Sequence, residues 1–161
     1  MAGLLQRELN KKLTFDIPEQ EVFLNLLRTT SLFENTAERF FREYGLSIAT
    51  YNVLRILRGA GKDGKTCSQI GEDMVARVPD VTRLVDRLEE SAMVKRTRER
   101  DDRRVVRVTL TPNGLELLTK LDEPVIELHR QQLNHLTKEE LADLTRLLER
   151  ARDPMNADSP K

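Results

Sequence analysis

Apolar residues recur at helical spacing through most of the chain and at strand spacing in one short stretch. Val81, Leu84, Val85 and Leu88 fall on one helical face. Pro79 suits the first helical position, where its missing N–H costs nothing, so the spacing predicts a helix from there to about Met93. At about 100° per residue, Pro79, Thr82, Arg83 and Asp86 point the opposite way. Past Met93 the period shortens. Val94 opens a short strand, and Val106, Val108 and Leu110 alternate with Arg107 and Thr109. The segment between the two strands, Arg98 to Arg104, is too charged to enter a core.

Elsewhere the pattern is helical. Residues 1–15 show no clear period and read as a frayed tail or a short packing helix. Asp16 as cap and Pro18 in the first turn open a long helix. Its stripe of Val22, Phe23, Leu26, Leu27, Thr30, Phe33, Ala37, Phe40 and Phe41 stops near Gly45, a left-handed terminator. That stripe is broader than a small domain needs, which predicts a partner chain; internal packing is the alternative. Ser47 caps a helix from Ile48 to Arg58, ended by Gly59, with Ile48, Tyr51, Leu54 and Leu57 on one face. The turn from Gly59 to Gly64 lacks the Gly-Lys-Ser/Thr ending of a phosphate loop. Thr66 and Gln69 form a capping box that opens a helix from Cys67 to Val75, the first of a helix-turn-helix pair. Thr111 caps a second long helix, with Pro112 at its first position and Leu115, Leu118, Leu121, Val125, Leu128 and Leu133 as its stripe. Pro124 is expected to kink it. A capping box of Thr137 and Glu140 starts the last helix, with Leu141, Leu144, Leu147 and Leu148 on its apolar face. The tail from Asp153 is polar with two prolines and reads as disordered.

This layout predicts one domain over residues 1–161, mainly α with a small β-hairpin. A winged helix-turn-helix occupies 46–111, between association helices at 16–45 and 112–152. With 4% aromatic residues and no Trp, the core must be Leu, Val and Ile. No apolar run approaches the ~18 residues of a membrane span, and the first residues lack the apolar stretch of a secretory signal. The lone cysteine allows no intrachain disulfide, so the expected location is cytoplasmic. Net charge is +0, but it is unevenly spread. Residues 95–107 hold seven basic and three acidic groups, a local +4, whereas residues 16–43 hold six acidic and three basic. A basic patch on a neutral chain suits local, oriented binding to DNA; the alternative is a solvated, charge-rich hairpin.

A helix with a polar outer face beside a basic hairpin suits duplex DNA, the helix in the major groove and the hairpin along the backbone or minor groove. Thr82 and Arg83 are the candidates for base edges: Arg bonds guanine O6 and N7 together, and a Thr methyl packs on thymine. Asp80 either accepts from cytosine N4 or only caps the helix and holds Arg83 or Arg77. Pro79 shares the outward face. Arg77, Ser68 and Gln69 are candidate phosphate positioners, since the preceding helix starts toward the backbone. Arg87, at the margin, can pair with Asp86 or Glu90. Catalysis has no foothold: His129 and His135 lack a metal-ligand spacing or a paired nucleophile, so neither an enzyme nor a cofactor is expected. Cys67 reads as a small packing residue, with a reactive thiol as the alternative. A third reading is a winged helix used for protein contacts without specific DNA binding: DNA binding needs Arg83 and Arg104 on one continuous face with the helix start, whereas a protein-contact wing would show exposed apolar residues there.

Three runs carry a resemblance: Val81-Thr-Arg-Leu-Val-Asp-Arg-Leu-Glu89, then Asp102-Arg-Arg104, then Val108-Thr-Leu-Thr-Pro-Asn-Gly114. In this order and spacing the chain resembles the MarR-type winged helix-turn-helix regulators, from about residue 20 to 150. The resemblance implies a homodimer through interlocked terminal helices, reading a pseudo-palindromic operator with half-sites about 10 bp apart or a multiple. It implies that Arg104 enters the minor groove while Asp102 braces the loop, with Arg100 and Arg103 on phosphates and Arg98 in either role or none. It also implies a repressor released by a small aromatic or phenolic ligand, in a cleft between the winged domain and the dimer helices. Tyr51, Arg55 and His129 are on helices that could reach such a cleft. Family members that sense oxidants carry their cysteine in the first long helix, where this chain has none.

Overall fold

The computed structural model describes residues 3–10, 14–99, 102 and 104–157, the side chains of 155–157 excepted. In chain order it contains α1 (Leu4–Glu8), α2 (Pro18–Arg42), α3 (Ile48–Ala60), a 3-10 turn (Gly61–Asp63), α4 (Cys67–Asp73), α5 (Val81–Glu90), β1 (Val94–Arg98), β2 (Val106–Leu110), α6 (Pro112–Leu133) and α7 (Lys138–Ala157). The chain divides into two units, Met1–Thr119 and Lys120–Lys161.

The first unit holds the winged helix. Val53, Leu54 and Leu57 of α3, Ile70 of α4 and Val85 of α5 are fully buried, joined by Leu88, Val94 and Val108. This aliphatic core fixes α5 against α3 and α4, and β1 against α5. The strands pair antiparallel, Val94 opposite Leu110 and Arg98 opposite Val106. A third segment, not anticipated from the sequence, extends the sheet: Lys65 donates to the Val108 carbonyl at 3.0 Å and accepts from the Val108 amide at 2.8 Å. Gly64 makes this approach possible. Its φ is +61°, and a Cβ there would collide with the Val108 carbonyl oxygen. Around α3, the Phe41 ring stacks on Tyr51 with centroids 4.4 Å apart, tying α2 to the winged part.

Several boundaries differ from expectation, each for a local reason. The cap of α2 is Ile17, not Asp16; the Asp16 amide instead donates to Gln20 Oε1. Helix α3 runs through Gly59 to Ala60, and Gly61, at φ +61°, is the residue that ends it. Helix α4 stops at Asp73, so Val75 lies beyond it. Helix α5 starts at Val81, with Asp80 as cap and Pro79 outside it. The capping boxes at Ser47 and Thr66 are formed, and Gly45 takes a left-handed φ of 71°.

The second unit comprises the rest of α6 and α7. Leu121, Val125 and Leu128 are buried on α6. Pro124 lies inside the helix, which continues through it. Thr137 and Glu140 close the expected capping box of α7, each bonding the other's backbone amide. Helix α7 runs past Asp153 and Pro154 to Ala157, where the sequence suggested a disordered tail; residues 158–161 lie outside the described residues. No described helix is long and apolar enough to cross a membrane.

Candidate nucleic-acid interface

Helix α5 buries Val85 and Leu88 and leaves Thr82 and Arg83 exposed. This follows from the 3.6-residue period: with one stripe committed to the core, the residues at +1 and +2 from Val81 must face out. The Arg83 side chain is 80% exposed. Asp80 holds it from below. One carboxylate oxygen accepts from the Arg83 amide at 3.1 Å, which caps the helix, and the other pairs with Arg83 Nε at 3.1 Å. The capping reading of Asp80 therefore describes its geometry. Pairing through Nε leaves the terminal guanidinium nitrogens as the edge that guanine recognition uses.

The approach to α5 is polar and open. Ser68 and Gln69 are exposed in the first turn of α4. Gln69 Oε1 accepts from the Thr66 amide at 3.0 Å, so its amide group is the part left for a phosphate. Arg77 and Pro79 are exposed in the turn between α4 and α5. In that turn Val75 is 92% exposed, while its amide donates to Asn52 Oδ1 at 3.0 Å. A helical reading to Val75 hid this residue; it is the apolar side chain most fully offered to solvent next to the helix-turn-helix.

Beyond α5 the hairpin forms the wing. Its loop closes through Glu99 N–H to the Val105 carbonyl and Val105 N–H to the Asp102 carbonyl, both at 3.0 Å. The Asp102 carboxylate accepts from the Arg104 amide at 2.9 Å, so it braces the loop. Arg104 is exposed, as are Lys95 and Arg98. Arg100 and Arg103 lie outside the described residues. Arg107 is turned to an internal ion pair with Glu99.

The bond system that sequence reasoning missed centres on Arg96. Its Nη1 pairs with Glu89 Oε2 and its Nη2 with Asp86 Oδ1, both at 2.6 Å. Nη2 also donates to the Thr82 carbonyl at 3.3 Å, and the Arg96 amide donates to Glu89 Oε1 at 3.0 Å. Burial lowers the guanidinium pKa, but hydrogen bonds and charge from Asp86 and Glu89 outweigh it and hold the pKa above its usual value. Asp86 is thus engaged by the wing and not by Arg87. Asp86 and Glu89 sit three residues apart on one helix flank, a spacing visible in the sequence; the partner across the tertiary contact was not.

Other candidates separate from this surface. Cys67 is half-buried beside the fully buried Ile70. Tyr51 is stacked on Phe41 and Arg55 is exposed. His129 belongs to the second unit. A cleft of about 830 Å³ lies along Lys95, Thr97, Arg107 and Thr109, with Leu57 and Leu115 in its wall. Among the described residues no group of three metal-ligating side chains forms.

Known proteins are similar to this chain in sequence and fold. A model of the MarR family matches residues 46–106. The uncharacterized HTH-type transcriptional regulator YfiV of Bacillus subtilis is 35% identical over 114 residues, covering 66% of this chain and 70% of that protein. The HTH-type transcriptional regulator PecS of Dickeya dadantii is 28% identical over 151 residues, 93% of this chain and 91% of its own. A crystal structure of a MarR transcription factor from Planctomyces limnophilus is 43% identical, covers 84% of this chain and 98% of its own, and superposes with a TM-score of 0.67. A mutant MarR from E. coli, complexed with operator DNA, shares the fold at a TM-score of 0.72 and 22% identity, covering 93% of this chain and 99% of its own. With its helix-turn-helix, braced wing and matching relatives, the chain belongs to the MarR family, whose members are DNA-binding transcriptional regulators.

Proposed function

We propose that this chain acts as a dimeric repressor that reads a pseudo-palindromic operator and is released by a small aromatic or phenolic ligand. The observation that carries the DNA reading is the exposed Arg83 on α5, joined through the Arg96 bonds to a wing that presents Arg104. Thr82 and Arg83 read base edges, Ser68, Gln69 and Arg77 position phosphates, and Arg104 takes the minor groove. Asp80 and Asp102 hold the two reading arginines rather than contact DNA. Arg98, Arg100 and Arg103 add backbone contacts, and Pro79 packs at the helix entrance. A regulator of this kind works beside the chromosome, in the cytoplasm, and needs no catalytic group.

Two features support the rest. Helix α2 exposes Val22, Phe23, Leu26 and Leu27, and α7 exposes Leu144 and Leu147, faces suited to a second copy. The ligand reading draws on the solved relative BpsR of Bordetella bronchiseptica, whose DNA binding is regulated by 6-hydroxynicotinic acid, an aromatic acid; it is 21% identical. The protein-contact alternative finds less support, because among the described residues Val75 is the one large apolar side chain exposed between α4 and the end of the hairpin. Incubating the purified chain with fragmented genomic DNA and sequencing what it retains tests the reading. Recovery of fragments sharing a two-fold motif is expected, and retention without sequence preference overturns it.

A further inference from the structure

The DNA-facing residues fall on two elements that touch the duplex at different grooves, so something must fix their relative placement. In the hairpin, Thr111 N–H bonds the Met93 carbonyl and Glu99 N–H bonds the Val105 carbonyl. Odd-numbered positions of β1 therefore face β2, and the backbone of Arg96 faces the free edge of the sheet. That free edge is taken by α5: Glu89 accepts the Arg96 amide with one carboxylate oxygen and Nη1 with the other. Nη2 spans back to Asp86 and to the Thr82 carbonyl, three residues of one helix gripped by one strand residue. The guanidinium fork suits this task, since its donors lie in a fixed plane. Thr82 immediately precedes Arg83, so the grip ends at the base-reading turn of the helix.

We propose that Arg96 is a positioning residue for DNA recognition, locking α5 to the wing so that Arg83 and Arg104 meet their grooves in one preset geometry. This rests on the DNA reading above. Arg96 itself need not touch DNA. Without the lock, the wing must be ordered at the moment of binding, and that ordering cost is subtracted from whatever Arg104 contributes. Neutralising Asp86 and Glu89 is a second effect of the same bonds, and it has to be separated from positioning.

The experiment is a set of double-mutant cycles on the full chain, using the duplex recovered by the genomic selection. In the native background Arg104→Ala is expected to weaken binding about tenfold. In an Arg96→Lys background, which keeps the charge and loses the fork, the same change is expected to cost about twofold. The neutral combination Asp86→Asn, Glu89→Gln and Arg96→Gln should show the same shrinkage, whereas the effect of Arg83→Ala persists in every background. If Arg104→Ala costs the same tenfold throughout, Arg96 is structural only and the inference is wrong. If the neutral combination restores the tenfold effect, Arg96 acts by cancelling charge, and positioning is again wrong. Glu89→Gln alone supplies a milder route should the arginine variants lose their cooperative melt, with the same shrinkage expected. A native chain that selects no duplex overturns the DNA reading before any Arg96 variant is made, so the two failures are distinguishable.

Discussion

Arg83 and Arg104 are both exposed arginines, but their surroundings differ, and so do the effects expected of replacing them. Arg83 stands on a helix and is steadied by Asp80; Arg104 stands in a loop whose backbone is pinned by Asp102. Arg83→Ala is expected to cost about 1–3 kcal/mol of operator binding and relax preference at one base pair per half-site. Arg104→Ala is expected to weaken binding to many sequences, lower the salt slope by about one per wing, and reduce any preference for A·T-rich flanks. Competition binding with a randomised operator library checks both, and a melting curve for each variant checks that neither side chain is structural. Asp80 gives a sharper contrast. The cap needs a side-chain oxygen but not a charge, so Asp80→Asn should melt like the native chain while Asp80→Ala loses about 1 kcal/mol. Removing the carboxylate from beside the phosphates should also strengthen nonspecific binding. If Asp80→Asn instead abolishes discrimination at a cytosine, Asp80 reads that base directly and its capping bond is secondary.

At the scale of elements, the start of α6 explains why the wing is followed by Thr-Pro-Asn-Gly. The Thr111 hydroxyl accepts from the Gly114 amide at 3.2 Å and donates within reach of the Ala92 and Met93 carbonyls, at 2.7 and 3.1 Å. This draws the helix start so close that a Cβ on Gly114 would collide with the Met93 carbonyl oxygen. Gly114→Ala is therefore expected to destabilise the fold by about 2–3 kcal/mol, seen as a melting point lower by roughly 5–10 °C. An unchanged melt would show that the helix start can shift at no cost. The motif was legible in the sequence, but the collision that requires glycine was not, because it lies between residues twenty-one apart. The same division holds along the chain. Local rules located the helices, the strand alternation, the cap at Ser47, the capping boxes at Thr66 and Thr137, and the outward face of α5; that Thr50 completes a capping box with Ser47 was not read from the sequence. They misplaced Pro79 and Gly59 by one or two residues, since either residue type is tolerated on both sides of a helix end. They missed the Lys65 bridge and the Arg96 bonds, which depend on tertiary neighbours that no periodicity encodes.

At the scale of the whole molecule, the +4 count read from residues 95–107 changes meaning once the pairs are known. Arg96 and Arg107 neutralise carboxylates within the fold, so among the described residues the exposed basic groups of the wing and the turn before α5 are Lys95, Arg98, Arg104 and Arg77, while Arg83 is exposed but paired with Asp80. Log affinity against log salt should fall by about 0.9 per phosphate contact, twice over in a dimer. The dimer itself is the larger expectation. Val22, Phe23 and Leu27 on α2 are each more than half exposed, and Leu26 continues the same face. Exposed apolar area of that extent on one helix marks an association face rather than a solvated one, and obligate interfaces of this kind bury about 2,000 Å² or more. Two copies also fit the proposed recognition: a single recognition helix contacts few base pairs, whereas a two-fold pair would meet both half-sites of a pseudo-palindrome. Sedimentation equilibrium at micromolar concentration should give twice the 18.6 kDa of one chain, and the melting temperature should rise with protein concentration, because association stabilises only the folded state. Leu27→Asp places a charge in that face without touching α5 or the wing. It should shift the chain toward monomer and weaken operator binding far more than half-site binding. A native chain that sediments as a folded monomer and melts independently of concentration would refute the dimer and leave the apolar stripe of α2 in need of another partner.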